Sequence, residues 1–412
     1  MPPMIEIPLD LPEVRILKSE LNEREIVITV QSTREWAICA RCGSETREFH
    51  SYGRALRLRH LPILGRPVFI ELRPKRFRCP KCDDHLTTQQ LGWHDERSPH
   101  TKAYDQWLLR QLIGSTISDV ARKEVASYDE VFGALQRLIA GTVNWAKFKR
   151  LEILGLDEIA LKKGHRDFVV LVTTLQDDGQ LRLLGVLPDR RLETVEKFLL
   201  TIPKRLRATV REVCTDMYEG YTSAVKKVLP QAQLVVDRFH VAKAYRDCAD
   251  QLRKEVLREL KAGLSEEEYE ALKGTMWLFR RAPQQLNEAE RERLALLFEC
   301  APDLKQAYDL REQLTAIFEA DHTKASATVA IEDWMKLARS SGLSCFDSFL
   351  VTLENWLDEI TNYFVSRLTS GFVEGFNNKA KVLKRRCYGM TNPTHLFQRL
   401  YLDLEGYRLL GL

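Results

Sequence analysis

Two periodicities alternate along this chain, and each change of period marks a change of structure. Over residues 56–73 apolar and polar positions alternate: Leu56 and Leu58 oppose Arg57 and Arg59, and Val68, Ile70 and Leu72 oppose Phe69, Glu71 and Arg73. A period of two sets one group of side chains on each face of a strand, so half-buried strands are expected. The intervening LPILGRP, with its Gly and Pro, suits a hairpin-like connection. From residue 103 the period becomes helical. AYDQWLLRQLI at 103–113 is amphipathic and stops at Gly114. Thr116 to Asp119 reads as the capped start of a second helix over 117–124. Ser127 to Glu130 has the capping-box pattern that opens a third, ending near Gly141. Three short helices with a tight second turn match a helix-turn-helix unit, with 127–140 as its reading helix. Small helical bundles with no DNA role share the pattern.

At residue 151 the pattern changes again. LEILGLDEIAL, DFVVLVTTL and LRLLGVL predict three strands separated by the turns KKGHR and QDDGQ. A helix over about 192–202 follows, then strand REVCTDM, helix YEGYTSAVKKVL and strand QLVVDRF. The middle strands are nearly continuous apolar runs, as when helices cover both faces of a sheet. Three hairpin-connected strands followed by αβαβ is the order of a ribonuclease-H-like fold. Residues 241–365 have helical periodicity, with one apolar stripe running through Phe346, Phe349, Leu350, Leu353, Trp356, Leu357, Ile360 and Phe364. They read as an all-helical insertion before the last core helix. Trp277, Trp334 and Trp356 are expected to pack in its core, with stacking on a flipped base as the alternative.

The expected fold is therefore an α/β multidomain chain with a ribonuclease-H-like catalytic core and an all-helical insertion. A small β-rich zinc module and a helix-turn-helix domain precede that core. The expected boundaries are 1–95 for the zinc module, 96–148 for the helix-turn-helix, 149–240 for the first part of the core, 241–365 for the insertion and 366–412 for the closing core helices.

Charge sharpens this picture. The 412 residues carry a net charge of only +4. Residues 41–82 are net +8 and residues 367–399 net +6, which leaves about −10 for the remainder. Positive charge concentrated on a nearly neutral chain fits a polyanionic partner. No run of about 18 apolar residues exists, so no membrane-spanning helix is expected. The N-terminus lacks the basic start and apolar core of a signal peptide, and a cytoplasmic location is the expectation.

Two sets of residues carry candidate chemistry. Cys39 and Cys42 form one CxxC pair and Cys79 and Cys82 another, 36 residues apart. Two thiolates at this spacing reach one ion from a tight turn, and two such turns complete a closed tetrahedral Zn²⁺ site. Gly43 and Pro80 are the turn residues such knuckles need. Arg57, Arg59, Arg73, Lys75, Arg76 and Arg78 accompany the module and would contact DNA phosphates.

The second set is acidic. Asp157 lies in the first core strand and Asp216, 59 positions later, at the end of the fourth. Strand carboxyl ends gather ligands in open α/β sheets, so this topology would bring the two together. Glu374 would complete the set from a helix that turns strongly basic. Clustered carboxylates repel unless divalent cations neutralise them, and Mg²⁺ takes such hard oxygen ligands while keeping water positions free. Two ions roughly 3.5–4 Å apart can activate an attacking oxygen and stabilise a leaving one. After Glu374, the residues Asn377, Asn378, Lys379, Lys381, Lys384, Arg385 and Arg386 lie where a DNA backbone would run.

In combination, GLDE at 155–158, TDMYEGY at 215–221, DRFHVAKAY at 237–245 and SGFVEGFNNKAKVLKRRCYG at 370–389 resemble the motif blocks of bacterial DDE transposases of the ISL-type insertion-sequence family. The resemblance spans about residues 35–405 and includes the CxxC module and helix-turn-helix. It implies that Asp157, Asp216 and Glu374 are the DDE triad, using Mg²⁺ or Mn²⁺. It implies that the N-terminal modules bind the terminal inverted repeats of a mobile element. The partners would be double-stranded DNA, both transposon ends and target, bound by a homodimer or larger assembly in the cytoplasm, associated with the nucleoid when on DNA. Asp237 and His240 become secondary active-site candidates: His240 would contact a scissile phosphate or flipped base, or serve as a structural histidine. Thr173 and Thr174 stand where the family often has an acidic residue, and Trp36-Ala-Ile precedes the first cysteine where Pro is frequent. The implied function is binding of element ends, metal-dependent phosphodiester hydrolysis and 3′-hydroxyl strand transfer. The alternatives are a catalytically silent regulator derived from such an enzyme and a structure-specific nuclease of the same fold.

Overall fold

The computed structural model describes residues 8–161, 168–176, 178–263, 265–272, 274–367, 371–387 and 389–411, with the side chains at 268, 269, 271, 276 and 371–374 outside that set. The expected KKGHR turn and the Glu374 side chain therefore lie outside the described residues. The chain forms two compact units, residues 1–141 with 383–412, and residues 142–382.

The first unit opens with β1 (Val14–Leu21), β2 (Ile26–Ser32), β3 (Ala37–Ile38), β4 (Glu45–Thr46) and β5 (Glu48–Tyr52). It continues with β6 (Leu56–Ile63), β7 (Arg66–Leu72), β8 (Lys75–Cys79) and β9 (His85–Thr88). The alternating residues form the β6–β7 hairpin, with Leu58, Val68, Ile70 and Leu72 buried. This hairpin is not part of the cysteine-bearing sheets. It joins a separate four-stranded sheet, ordered β1-β2-β7-β6, because Ile28 and Val30 of β2 and Leu91 and Trp93 complete its apolar core. The cysteines border two smaller sheets, β3-β4 and β5-β8-β9.

Helices α1 (Lys102–Leu112), α2 (Ile117–Glu124) and α3 (Tyr128–Leu138) follow the predicted spans closely. Thr101, Thr116 and Ser127 each accept a hydrogen bond from the backbone N–H three residues on, and the Ser127 N–H donates to Glu130. These bonds satisfy amides that a first helical turn leaves without partners. Val125 ends α2 at φ 51°, a left-handed conformation costly for a β-branched residue, and so makes the tight turn into α3. Asp105 on α1 is only 1% exposed. His100 Nδ1 lies 2.6 Å from it, and Arg137 on α3 donates to both of its oxygens at 2.7 Å. Burial raises the Asp105 carboxyl, but these bonds outweigh it and hold the group below the ordinary range.

The second unit contains β10 (Ile153–Ala160), β11 (Phe168–Leu175), β12 (Leu181–Leu187), α4 (Leu192–Thr201), α5 (Lys204–Arg207), β13 (Glu212–Thr215), α6 (Glu219–Val228) and β14 (Gln233–Val236). Its sheet has the order β12-β11-β10-β13-β14. The first three strands pair antiparallel, and β10, β13 and β14 run parallel. This is the expected ribonuclease-H-like core. Leu154, Leu156, Val172 and Val213 of the sheet share one apolar cluster with Val195 and Leu199 of α4 and Tyr221 and Val225 of α6.

The insertion follows as α7 (Arg238–Gly263), α8 (Glu266–Leu272), α9 (Thr275–Phe279), α10 (Glu288–Cys300), α11 (Pro302–Glu319), α12 (Lys324–Ser340), α13 (Asp347–Thr361) and α14 (Tyr363–Ser366). The predicted stripe packs inward as one core, with Trp356 and Leu357 partly buried at its margin. Trp334 is buried and donates to Leu310 O at 2.8 Å. Trp277 departs from the expected core position: it is 62% exposed on α9. Asn362 ties the insertion to the sheet, donating to Leu234 O at 2.8 Å while accepting from Gln233 at 2.8 Å.

The chain closes with α15 (Gly371–Arg386) and α16 (Pro393–Leu409). The segment 366–412, expected to belong wholly to the catalytic core, divides: residues from Leu383 onward belong to the first unit. Leu402 of α16 enters the apolar cluster of α1–α3, and Arg399 caps their carbonyls at Leu112 and Ser115. Helix α16 thereby extends the apolar cluster of the three short helices.

Asp105→Ala is expected to destabilise the first unit by about 3 kcal/mol, since it strands the Arg137 guanidinium and a buried imidazole. Denaturant unfolding monitors this. A shift no larger than that of exposed Tyr128→Ala would mean the buried network contributes nothing.

Candidate active site

The parallel register assembles the acidic cluster. β10 and β13 pair with Gly155 opposite Cys214, so two residues further on Asp157 and Asp216 stand side by side. β13 and β14 pair with Thr215 opposite Val236, which brings Asp237 next to Asp216. Asp216 and Asp237 thus emerge at the carboxyl ends of β13 and β14, the customary site in open α/β sheets, and Asp157 stands beside them within β10, which runs on to Ala160. Leu154 and Leu156 point into the α4/α6 cluster, so strand alternation turns Asp157 to the opposite face.

That opposite face receives α7 and α15. His240, on the first turn of α7, holds Nε2 at 3.9 Å from Asp157 Oδ1 and 3.8 Å from Asp237 Oδ2. Asn377 on α15 is buried and donates its amide to Asp157 Oδ2. The expectation of Asn377 as a DNA contact is corrected: burial and this bond make it a partner of the carboxylate. Glu374 lies one turn earlier on α15, and its side chain is outside the described residues.

The cluster is short of positive charge. Burial raises the Asp157 carboxyl against the Glu158 amide, His240 and Asn377, which all lower it. Burial and the nearby Glu158 carboxylate push Asp216 up to about 6. Asp216 Oδ1 and Asn377 Oδ1 are buried with no hydrogen-bond partner among the described residues. Hard oxygen donors without protein partners, on carboxylates reluctant to ionise, are what a divalent cation would satisfy. The donor set fits such an ion.

Sequence reasoning passed over a second layer. Glu158, beside Asp157 in GLDE, turns to the other face of β10. It accepts from Tyr221 Oη at 2.9 Å and pairs with Arg190 at 3.3 Å. Arg190 lies over the Tyr218 ring at 4.5 Å. The signal was present in the period-two pattern, which alternates acidic neighbours between faces.

The basic residues separate by accessibility. Asn378, Lys379, Lys381 and Arg385 are exposed, as is Arg73. Arg76 is half-buried, and Arg78 lies 3.6 Å from Glu48. Arg57 pairs with Glu25 at 2.7 Å, and Arg59 donates to Glu124 O at 3.1 Å. Lys75 and Arg386 leave the expected DNA surface. Lys75 is 5% exposed and paired with Glu35, and Arg386 is paired with Asp403. Lys384 is half-buried.

In the first unit the four cysteines converge, with their sulfurs within 4.8 Å of one another. Cys39 and Cys42 flank the turn after β3; Cys79 ends β8 and Cys82 follows in a 3-10 turn begun by Pro80. Gly43 adopts φ +70°, the left-handed conformation this knuckle requires. Hydrogen bonds from Ser44 draw the Cys42 thiol down to about 6. Contact with Cys42 and burial push Cys82 up to about 12. Four thiolates so close cannot coexist without a cation, and a tetrahedral Zn²⁺ resolves the conflict.

Fold and site together define a nucleic-acid-processing enzyme of ribonuclease-H-like architecture, with a zinc-bearing N-terminal module. A profile of the ISL3-type DDE family, described as a transposase, matches residues 154–400, and one described as the zinc-finger of transposases IS204/IS1001/IS1096/IS1165 matches residues 35–82. The chain belongs to this transposase family: it is a DNA-binding enzyme of DNA cleavage and strand transfer, with structural Zn²⁺ and a divalent-metal active site. Relatives include the transposase for insertion sequence element IS1001 of Bordetella parapertussis, 27% identical over 93% of this chain and 92% of that protein. The transposase for IS1557 of Mycobacterium tuberculosis is 24% identical over 90% and 87% respectively. The Drosophila P element transposase strand transfer complex aligns with a TM-score of 0.42 at 11% identity, over 76% of this chain and 94% of that one. No described helix is long and apolar enough to cross a membrane.

A raised Asp216 means that the folded protein holds this proton more tightly than the unfolded chain. Stability is therefore lost as pH rises from the ordinary carboxylate range through about 6. Asp216→Asn is expected to stabilise the metal-free protein at pH 8 by up to about 3 kcal/mol, because each tenfold gain in proton affinity is worth about 1.4 kcal/mol. At pH 5 the gain should be roughly half as large. Thermal unfolding at the two pH values measures it, and a melting temperature lowered at pH 8 would show that the ionised carboxylate is stabilising instead. For the cysteines, elemental analysis should return about one zinc per chain, and Cys39→Ser should lose it.

Proposed function

We propose that Asp157, Asp216 and Glu374 form the metal-binding triad of a transposase that cuts and joins the ends of its own mobile element. One observation carries this reading: Asp157 and Asp216 stand side by side on adjacent parallel strands, with a buried carboxylate oxygen left without a partner among the described residues. Mg²⁺, or Mn²⁺ in its stead, is the proposed ion. Bound there, it would supply the charge that makes water nucleophilic and stabilises the leaving oxygen.

Each residue then has a distinct task. Asp157 and Asp216 would hold the ions from the sheet, and Glu374 would complete the set from α15. Asn377 fixes the Asp157 carboxylate through its amide and so limits its rotation. His240 lies within 4 Å of both Asp157 and Asp237 and would stand beside the bound DNA. The Arg190–Glu158–Tyr221 group braces the strand behind them. At each end, water attacks the phosphodiester phosphorus; one P–O bond forms as another breaks, and the 3′-oxygen leaves with a proton. That 3′-hydroxyl then attacks a target phosphodiester in line; its oxygen gains a P–O bond as the target's own 3′-oxygen leaves with the proton, so joining needs no outside energy source. Exposed Lys379, Lys381 and Arg385 would contact phosphates. The first unit would read the terminal inverted repeats, with α3 as the reading helix. Two ends must be held for joining, so a dimer or larger assembly is proposed, working in the cytoplasm on the nucleoid.

Labelled duplexes carrying the inverted repeats that flank the gene should be nicked at the element boundary and joined to target DNA in Mg²⁺ or Mn²⁺. Asp157→Asn, Asp216→Asn and Glu374→Gln should each lose about 1000-fold or more in both steps, as forfeiting several kcal/mol of metal stabilisation implies. Nicking without any joined product would instead favour a nuclease, and full activity in any of the three variants removes that residue from the triad.

A further inference from the structure

The four-stranded sheet of the first unit has two unlike edges. β6 is covered: the Arg59 N–H donates to Pro99 O and the Arg59 carbonyl accepts from the Thr101 N–H, both at 2.9 Å. β1 forms the other edge, and among the described residues β2 is its only strand neighbour. Seven of its eight residues, Arg15 to Leu21, are exposed, and VRILKSEL contains neither Pro nor Gly. Such an edge offers a row of backbone donors and acceptors to another strand. Its side chains are apolar as well as charged: Ile16, Leu17 and Leu21 are 57%, 56% and 66% exposed.

A β-bulge at Leu17 decides what this edge can pair with. Ile16 lies opposite Val30 of β2 and Lys18 opposite Thr29, so Leu17 is the extra residue and the alternation of faces shifts by one. Val14, Ile16, Ser19 and Leu21 therefore share the face of buried Ile28 and Val30, where the sheet has its apolar core. Arg15, Lys18 and Glu20 share the other face. Directly opposed residues of an antiparallel pair lie on one face. Two copies of a regular strand related by a two-fold axis can therefore oppose only residues an even number apart. The bulge permits an axis between Leu17 and Lys18 instead. Arg15 of each copy would then oppose Glu20 of the other, Ile16 would oppose Ser19 and Val14 would oppose Leu21, each pair with matching faces. An axis through Leu17 sets Arg15 against Ser19 of the wrong face. An axis through Lys18 sets two lysines together and Ile16 against Glu20.

We propose that β1 is an interface with a second copy of this chain, the two strands pairing antiparallel about an axis between Leu17 and Lys18 and joining two four-stranded sheets into one. Charge complementarity commits the edge to a second copy. Arg15 and Glu20 are equidistant from the axis, so each dimer gains two Arg15–Glu20 pairs across the seam. Their present contacts, Arg15 with Gln31 at 3.0 Å and Glu20 with Lys18 at 2.5 Å, are exposed and readily exchanged. On the other face, Ile16 and Leu21 would extend the apolar core against which Val14 and Ile26 already pack. The seam would also remove the open edge of both copies. The pairing gives a surface to the assembly proposed above, and rests on that reading only for the purpose of the dimer, holding two element ends.

Sedimentation equilibrium of the full chain without DNA tests this. Wild-type protein should dimerise reversibly with a Kd below about 100 μM, as a small interface allows. Arg15→Glu and Glu20→Arg each set like charges against one another and should weaken the dimer about tenfold or more. The double variant R15E/E20R restores opposite charges across the axis and should return to within about threefold of wild type. Both positions are exposed, and a zinc content equal to that of wild type reports a folded module. A wild-type chain still monomeric at about 100 μM overturns the proposal. A dimer indifferent to both single reversals also overturns it, since the copies would then meet elsewhere. A double variant as weak as the singles overturns the register. With DNA absent, none of these outcomes bears on the triad; failure of nicking in the assay above would sink the transposase reading and leave the β1 pairing standing.

Discussion

Repulsion among carboxylates is the constraint around which the second unit is built. Asp216 and Asp237 follow the ends of two parallel strands and Asp157 lies within the third, where burial and nearby carboxylate charge raise Asp157 and Asp216. A sheet that served stability alone would not gather acids there, since each buried oxygen without a partner costs free energy. The surrounding elements moderate the conflict without removing it. Asn377 and His240 approach Asp157 from helices, and the Glu158 carboxylate is held on the far face by Tyr221 and Arg190. What remains unsatisfied is the demand for a cation, and that demand is the basis of the chemistry.

The zinc module applies the same logic with softer ligands. Four sulfurs within 4.8 Å of one another are unstable as thiolates and satisfied as a metal cage. The difference lies in closure. Four cysteines fill a tetrahedral ion and leave no open position, so that site can only hold structure. The carboxylate cluster keeps positions free.

Much of this was legible in the chain. The strand order of the core, the capping residues Thr116 and Ser127, the CxxC pairs and the stripe through Phe346 to Phe364 depend on local periodicity and local chemistry. Such signals survive in sequence because a strand or helix must satisfy its own backbone and one face. Other features depended on distant partners. The β6–β7 hairpin looked like part of the zinc module, and only its neighbours β1 and β2 reveal a separate sheet. Helix α16 read as catalytic core, yet its Leu402 and Arg399 complete the N-terminal helices. Trp277 looked like a core residue and is exposed.

The division is sharpest among charged and amide side chains. Sequence alone marked the candidate metal ligands, and determined that Asp157 and Asp216 would meet, because strand order dictates which strands are neighbours. It could not distinguish Lys75 and Arg386, drawn into ion pairs with Glu35 and Asp403, from Lys379 and Arg385, which face solvent. Nor could it show that Asn377 turns inward to Asp157 while Asn378 beside it turns outward. A cation's or amide's role is fixed by whichever partner lies within about 3–4 Å. Those partners come from elements far away in the chain, so only the tertiary structure decides them.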